Sequence, residues 1–125
     1  MSRPIPRQGE YSRVPQLLAR DIPGFPESQE YKSLGSHDLE LPGVVCGAFA
    51  RFLTRTQKRA LEGSANEHGT ESLAASYQVI ERLSSSKDLN VINAVVVEIF
   101  ENFDCEPPVL EAIKARLVLQ QHFFQ

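Results

Sequence analysis

Any acid–base, nucleophilic or metal chemistry in this 125-residue chain would fall to three histidines, two cysteines and sixteen carboxylates. His37 adjoins Asp38 and His68 adjoins Glu67. Neighbours on regular structure point apart, so neither pair has the spacing of a zinc site or a catalytic dyad. Both read as solvated loop histidines, and His122, near the last residue, suits the negative pole of a final helix. Cys46 lies between Val45 and Gly47 with no histidine near it in sequence. It reads as a packed thiol rather than a nucleophile. Cys46 and Cys105 match no metal or redox spacing and predict two free, buried thiols in a reducing compartment. Ser84 to Ser86 form a turn rather than a nucleophile elbow, and the glycines never group into a phosphate loop. Glu98 and Glu101 look like paired carboxylates but lack the Glu-x-x-His partner of a di-metal site. These patterns predict no catalytic residue, metal, organic cofactor or small-molecule substrate.

Charge is the more informative signal. Arg51, Arg55, Lys58 and Arg59 line one stripe of a helix that begins at Pro42. They form either a solvated face complementing the helix dipole or a contact for an acidic surface. Asn90, Glu98 and Glu101 make a narrow polar stripe on an otherwise apolar segment, and Asp104 and Glu106 continue past its end. Acids at a helix C-terminus oppose the macrodipole, typically by a few tenths of a kcal/mol each. They call for internal cations such as Lys114 or Arg116, for plain solvation, or for a basic partner. The binding expectation therefore places Glu98, Glu101, Asp104 and Glu106 first and the helix bearing Arg51 and Arg55 second.

The elements that would carry these residues are helical. The first ten residues read as an extended arm and residues 11–125 as one domain. Tyr11, Val14, Leu17 and Leu18 recur at helical spacing, and Ile22-Pro23-Gly24-Phe25-Pro26 ends that helix. Pro26 and Glu27 open a short helix that stops by Gly35, and Ser36 to Leu41 connect. From Pro42, residues Val45, Phe49, Phe52, Leu53, Thr56 and Ala60 share a face, while small Gly47, Ala48 and Ala50 allow close approach by a neighbour. Gly63 to Gly69 reads as a polar loop, with Thr70 capping the next helix. Leu73, Tyr77, Ile80 and either Leu83 or Ser84 mark its inward face. Ser84 to Lys87 form a tight turn and Asp88 caps a helix of about four turns bearing Leu89, Ile92, Val95, Val96, Ile99, Phe100 and Phe103. Val91 and Val97 fall outside that stripe, which predicts a central helix covered on two sides. Pro108 lies in the first turn of a last helix with Leu110, Ile113, Leu117 and Phe124 on one side.

The fold class expected is all-α, a compact bundle of five to six helices. Its short-looped hairpins are loosely similar to HEAT units, although no repeat of about 40 residues is visible. Phe49, Phe52, Ile80, Ile92, Val96, Ile99, Phe100 and Ile113 should form the core, with Phe100→Ala costing about 3–5 kcal/mol. At 42% hydrophobic and 23% charged, the composition is that of a globular domain able to fold without disulfides or metal. A net charge of −3 argues against a general nucleic-acid binder. No signal-peptide pattern or spanning stretch is present, which predicts a cytoplasmic protein that does not enter a membrane.

The stretch Leu41-Pro42-Gly43-Val44-Val45-Cys46-Gly47-Ala48-Phe49-Ala50-Arg51-Phe52-Leu53 resembles the "LP…G-x-FARFL" segment of a family of small bacterial helical proteins. Residues 90–102, NVINAVVVEIFEN, are similar to that family's "V-x-N-x-VVV-x-F-x-EN" helix, and Phe25-Pro26-Glu27 matches an upstream "FPE" step. The resemblance covers about residues 11 to 104 and is carried mainly by core-forming positions. The family is similar to the immunity partners of polymorphic toxins, including effectors of contact-dependent and type VI secretion. It implies a one-to-one complex with a cognate toxin domain and no catalytic residues. A helical adaptor that regulates a larger assembly is the alternative from the residues alone, and an enzyme with a scattered site a weaker third.

Overall fold

The computed structural model describes residues 10–64, 66–103 and 106–122, without the side chains of Val95, Val96 and residues 118–122. Among the described residues there are helices and turns but no strand. The expected N-terminal arm lies outside them except for Glu10, as do Asp104, Cys105 and Phe124.

Helix α1 (Val14–Asp21) carries Pro15 in its first turn and buries Val14, Pro15 and Leu18. It ends where Ile22 turns extended, at φ −115° and ψ 101°, as a residue before proline prefers. The break that follows is buried rather than looped out. Phe25 has no exposed surface and meets Tyr31 edge-on at 5.2 Å, Phe49 at 5.9 Å and Phe52 at 5.3 Å between ring centroids. Gly24, at φ +87°, allows the chain to turn it inward. The short helix α2 (Gln29–Lys32) starts later than Pro26 suggests. Ser28 is the actual cap, its hydroxyl accepting the Tyr31 N–H at 3.2 Å while donating to the Phe25 carbonyl at 2.6 Å. A 3₁₀ turn, Asp38–Glu40, occupies the connector.

Helix α3 (Pro42–Leu61) is the centre of the fold and touches most of the other helical elements. Pro42 fits its first position because no intrahelical N–H is needed there. Val45, Cys46, Ala48, Phe49, Ala50, Phe52 and Leu53 are buried along it. The helix stops in a Schellman motif. Gly63, at φ +74°, donates its N–H to the Ala60 carbonyl at 3.2 Å, and the Ser64 N–H reaches the Arg59 carbonyl at 2.9 Å.

Helix α4 (Glu67–Ser84) begins inside the tract expected to be loop. Asn66 rather than Thr70 is the cap, its Oδ1 accepting the Gly69 N–H at 2.8 Å. Thr70 sits one turn in and donates its hydroxyl to the Asn66 carbonyl at 3.1 Å. Leu73, Tyr77, Val79, Ile80 and Leu83 pack inward, and the Tyr77 hydroxyl donates to Gln57 Oε1 at 2.7 Å, tying α4 to α3.

After the serine turn, Asp88 caps α5 (Leu89–Asn93) as expected, accepting the Asn90 N–H at 2.9 Å. The expected four-turn α-helix does not continue. Residues Ala94–Ile99 form a π segment and Phe100–Asn102 a 3₁₀ turn. The burial pattern explains the change. Val91, Ala94 and Ile99 are buried, whereas an unbroken α-helix would put Glu98, four residues past Ala94 and seven past Val91, on that inward line. The wider π turn hands the position to Ile99 and swings Glu98 to the flank. The expected inward stripe is corrected accordingly: Leu89 is 78% exposed, Val91 is buried and Val97 faces outward, so the segment is not covered on two sides.

Helix α6 (Pro107–His122) buries Val109 and Ile113 against α3 and α4. Of the expected core, Phe49, Phe52, Ile80, Ile99 and Ile113 are buried, while Ile92 and Phe100 are half-buried. The Val96 side chain lies outside the described residues. No helix among the described residues is long and apolar enough to cross a membrane.

Candidate protein-binding face

Two glycines one turn apart on α3 position the site. A Cβ on Gly43 would stand 3.0 Å from Glu98 Oε2 and 3.1 Å from its Cδ, so the carboxylate lies directly on the glycine. One turn on, Gly47 faces Arg51 Nη1 and the Asn102 amide at 3.5 and 3.8 Å by the same measure. Matching 43 with 98 and 47 with 102 sets the two segments side by side and running in the same direction. The Asn102 amide also donates to the Glu98 carbonyl at 2.7 Å, closing the turn after the π segment.

Glu98 is thus held within the protein rather than offered free to a partner. Tyr11 donates its hydroxyl to Glu98 Oε1 at 3.0 Å. Among the described residues Glu98 Oε2 is buried without a hydrogen-bond partner, and its charge rests against the positive end of α3. The surroundings respond to that charge. Burial, then the hydrogen bond to Glu98, the Glu98 charge and the Cys46 charge push the Tyr11 phenol up to about 12. Burial first, and Glu98 second, raise the Cys46 thiol to about 12, which keeps it a thiol at neutral pH.

The two segments that meet at this carboxylate expose large apolar side chains. Leu41 and Val44, on either side of Gly43, are each 38% exposed, and Val97, beside Glu98, is 41% exposed. Large exposed apolar side chains are unremarkable singly but not when grouped. Asn90, Asn93 and Glu101 are also exposed along the α5 to 3₁₀ run. Three large apolar side chains, Leu41, Val44 and Val97, and the Glu101 carboxylate are thus exposed on the two segments that meet at Gly43 and Glu98.

The other residues singled out by sequence lie as follows. Glu106 is exposed and meets Lys58 at 2.8 Å, a solvated pair worth little to stability. Among the described residues neither Lys114 nor Arg116 forms an ion pair with Glu98, Glu101 or Glu106; Lys114 is exposed, and Arg116 covers the Tyr77 ring at 4.7 Å. Arg55 is half-buried and held in a fork by Glu30 at 2.7 and 2.8 Å, which makes it an internal group. Arg51 is exposed and curls back over Gly47, where the Asn102 amide also lies. Asp104 lies outside the described residues. His37 and His68 are exposed, and among the described residues no three His, Cys, Asp or Glu side chains group as metal ligands.

Sequence reasoning missed Tyr11, Leu41, Val44 and Val97 as parts of this face. One signal was present. Gly43 and Gly47 are four apart on a helix, a spacing that admits a neighbouring backbone, but only Gly47 was singled out as a small residue. Compared with protein-family models, curated proteins and solved structures, the chain matches none of them.

Proposed function

We propose that this chain is a cytoplasmic immunity protein, an antitoxin that binds a cognate secreted bacterial toxin one-to-one and occludes it. The observation that carries the reading is that Leu41, Val44, Val97 and Glu101 are all exposed on two segments that pack on each other. Such a surface suits a partner with an apolar patch edged by basic side chains. The two stretches that resemble immunity proteins, residues 41–53 and 90–102, are the two that pack on each other through Gly43 and Glu98.

The reading is tested by co-expressing the chain with a toxin-like protein encoded beside it. Protection from killing and a 1:1 complex of about nanomolar affinity are expected. Equal killing with and without the chain overturns the reading. Charge reversal at Glu101 and Asp104 together should slow association while leaving the fold intact, and the slowing should shrink at high salt. A double reversal that binds as fast as the parent would acquit this surface alone.

A further inference from the structure

Toward the C-terminal end of α3, roughly 20 Å along the helix from Gly43, the structure holds a concave feature. A cavity of about 210 Å³ opens between the last turns of α3 and the first turn of α4. Arg55 and Arg59 face it from α3 and His68 from α4, and no carboxylate lines it. Glu30 offsets the Arg55 charge from outside the cavity, so Arg59 is the uncompensated guanidinium there, in a chain whose net charge is −3.

The donors are available. Arg55 commits Nε and Nη2 to Glu30 and leaves Nη1 outside that fork. Arg59 makes no ion pair among the described residues. His68 brings a ring N–H in either tautomer. The hydroxyls at the cavity are otherwise engaged: Ser64 donates to the Arg59 carbonyl and Ser72 to the Pro23 carbonyl. They supply lone pairs rather than donors, so the attractive groups are the cations. The first turn of α4 adds its positive end, with the Asn66 cap using one of the free N–H groups there.

We propose that this cavity binds a small tetrahedral oxyanion, as free phosphate or as the phosphoryl group of a small metabolite, gripped by Arg59 and Arg55 Nη1. Guanidinium forks match phosphoryl oxygens in geometry and charge. The volume lies below the roughly 300 Å³ at which sites for drug-sized ligands begin, which suits phosphate with a short substituent.

The test is an amide-resolved NMR titration of the intact chain with inorganic phosphate, repeated with chloride at matched ionic strength and with glycerol 3-phosphate. Saturable 1:1 shifts centred on Gly69, Ser72 and Arg59 are expected with phosphate and not with chloride. Arg59→Ala should weaken binding by about tenfold or more. Lys87→Ala, which removes an equal charge elsewhere on the surface, should leave it unchanged. Arg59 is exposed, so its loss spares the fold, whereas an Arg55 variant would also strand Glu30. Tighter binding of the monoester would identify a phosphorylated metabolite as the natural source, and equal or weaker binding would identify free phosphate. Shifts that never saturate, or equal weakening by the Arg59 and Lys87 variants, would overturn the proposal.

Discussion

Replacing Gly43 by alanine tests whether the Glu98 carboxylate truly rests on α3. Alanine ordinarily stabilises a helix relative to glycine by about 0.5–1 kcal/mol, and less in a first turn. Here the added methyl would stand 3.0 Å from Glu98 Oε2. The carboxylate must therefore move, weakening its 3.0 Å bond from Tyr11 and its place at the positive end of α3. A hydrogen bond to a charged group contributes about 1.5–3 kcal/mol, and a terminal charge on a helix dipole about 0.3–1 kcal/mol. Losing part of both against a gain of about 0.5 kcal/mol leaves Gly43→Ala destabilising by about 1 kcal/mol. In a Glu98→Ala background nothing opposes the methyl, and the same change should stabilise by about 0.5 kcal/mol. The four chains of this cycle, unfolded in urea and followed by helical circular dichroism, should give a coupling of about 1.5 kcal/mol. Equal stabilisation by Gly43→Ala in both backgrounds would refute the contact and the account of the π segment built on it.

Phe49→Ala should cost about 3–5 kcal/mol, because the ring is fully buried and meets Phe25 edge-on, whereas half-buried Phe100→Ala should cost about half as much; denaturant titrations that reverse this order would contradict the packing. The Glu30–Arg55 pair should appear in the acid dependence of stability. Burial tends to raise the Glu30 carboxyl, but the Arg55 hydrogen bonds, a backbone hydrogen bond and the Arg55 and Arg51 charges outweigh it, leaving the group below its ordinary 4.5. Because the folded-state value is depressed, the pair's stabilisation is present above pH 4.5 and lost as pH falls through the folded value. The stability gap between the parent and Glu30→Gln should accordingly be flat near neutrality and close in acid, and parallel acid curves would show that the pair contributes nothing.

The sequence made the helical class readable because periodicity in α3 and α4 is strong and the caps at Pro42 and Asp88 are local chemistry. Two errors have physical reasons. Asn66 and Thr70 are both competent caps, and Gly69 suggested a loop between them, yet a glycine in a first turn costs little when its N–H is capped by Asn66. The π segment was hidden because a period of 3.6 was imposed on residues that do not keep it. Leu89 and Ile92 drew the inward stripe to the wrong side. The charged position Glu98 on the Val91–Ala94 line was the contrary clue. The site was legible in part: Glu101 and Arg51 are surface groups as expected, but Glu98 and Arg55 are held by partners far away in sequence, Tyr11 and Glu30. Nothing local in the chain announces such pairs.

The π segment also has a consequence for how this chain tolerates changes of length. A wide turn holds one residue more than an α turn of the same rise around the axis. Deleting Glu98 outright, rather than replacing it, would bring Ile99 to the fourth position after Ala94 and restore an ordinary helical frame on the same buried line. A chain shortened at that one place would keep its core and lose its inward carboxylate in the same event. Gly43 would then face no oxygen, and Tyr11 would be left without its acceptor. Length at Glu98, side-chain size at residue 43 and the hydroxyl at residue 11 therefore form one linked character, and relatives of this chain should gain or lose the three together.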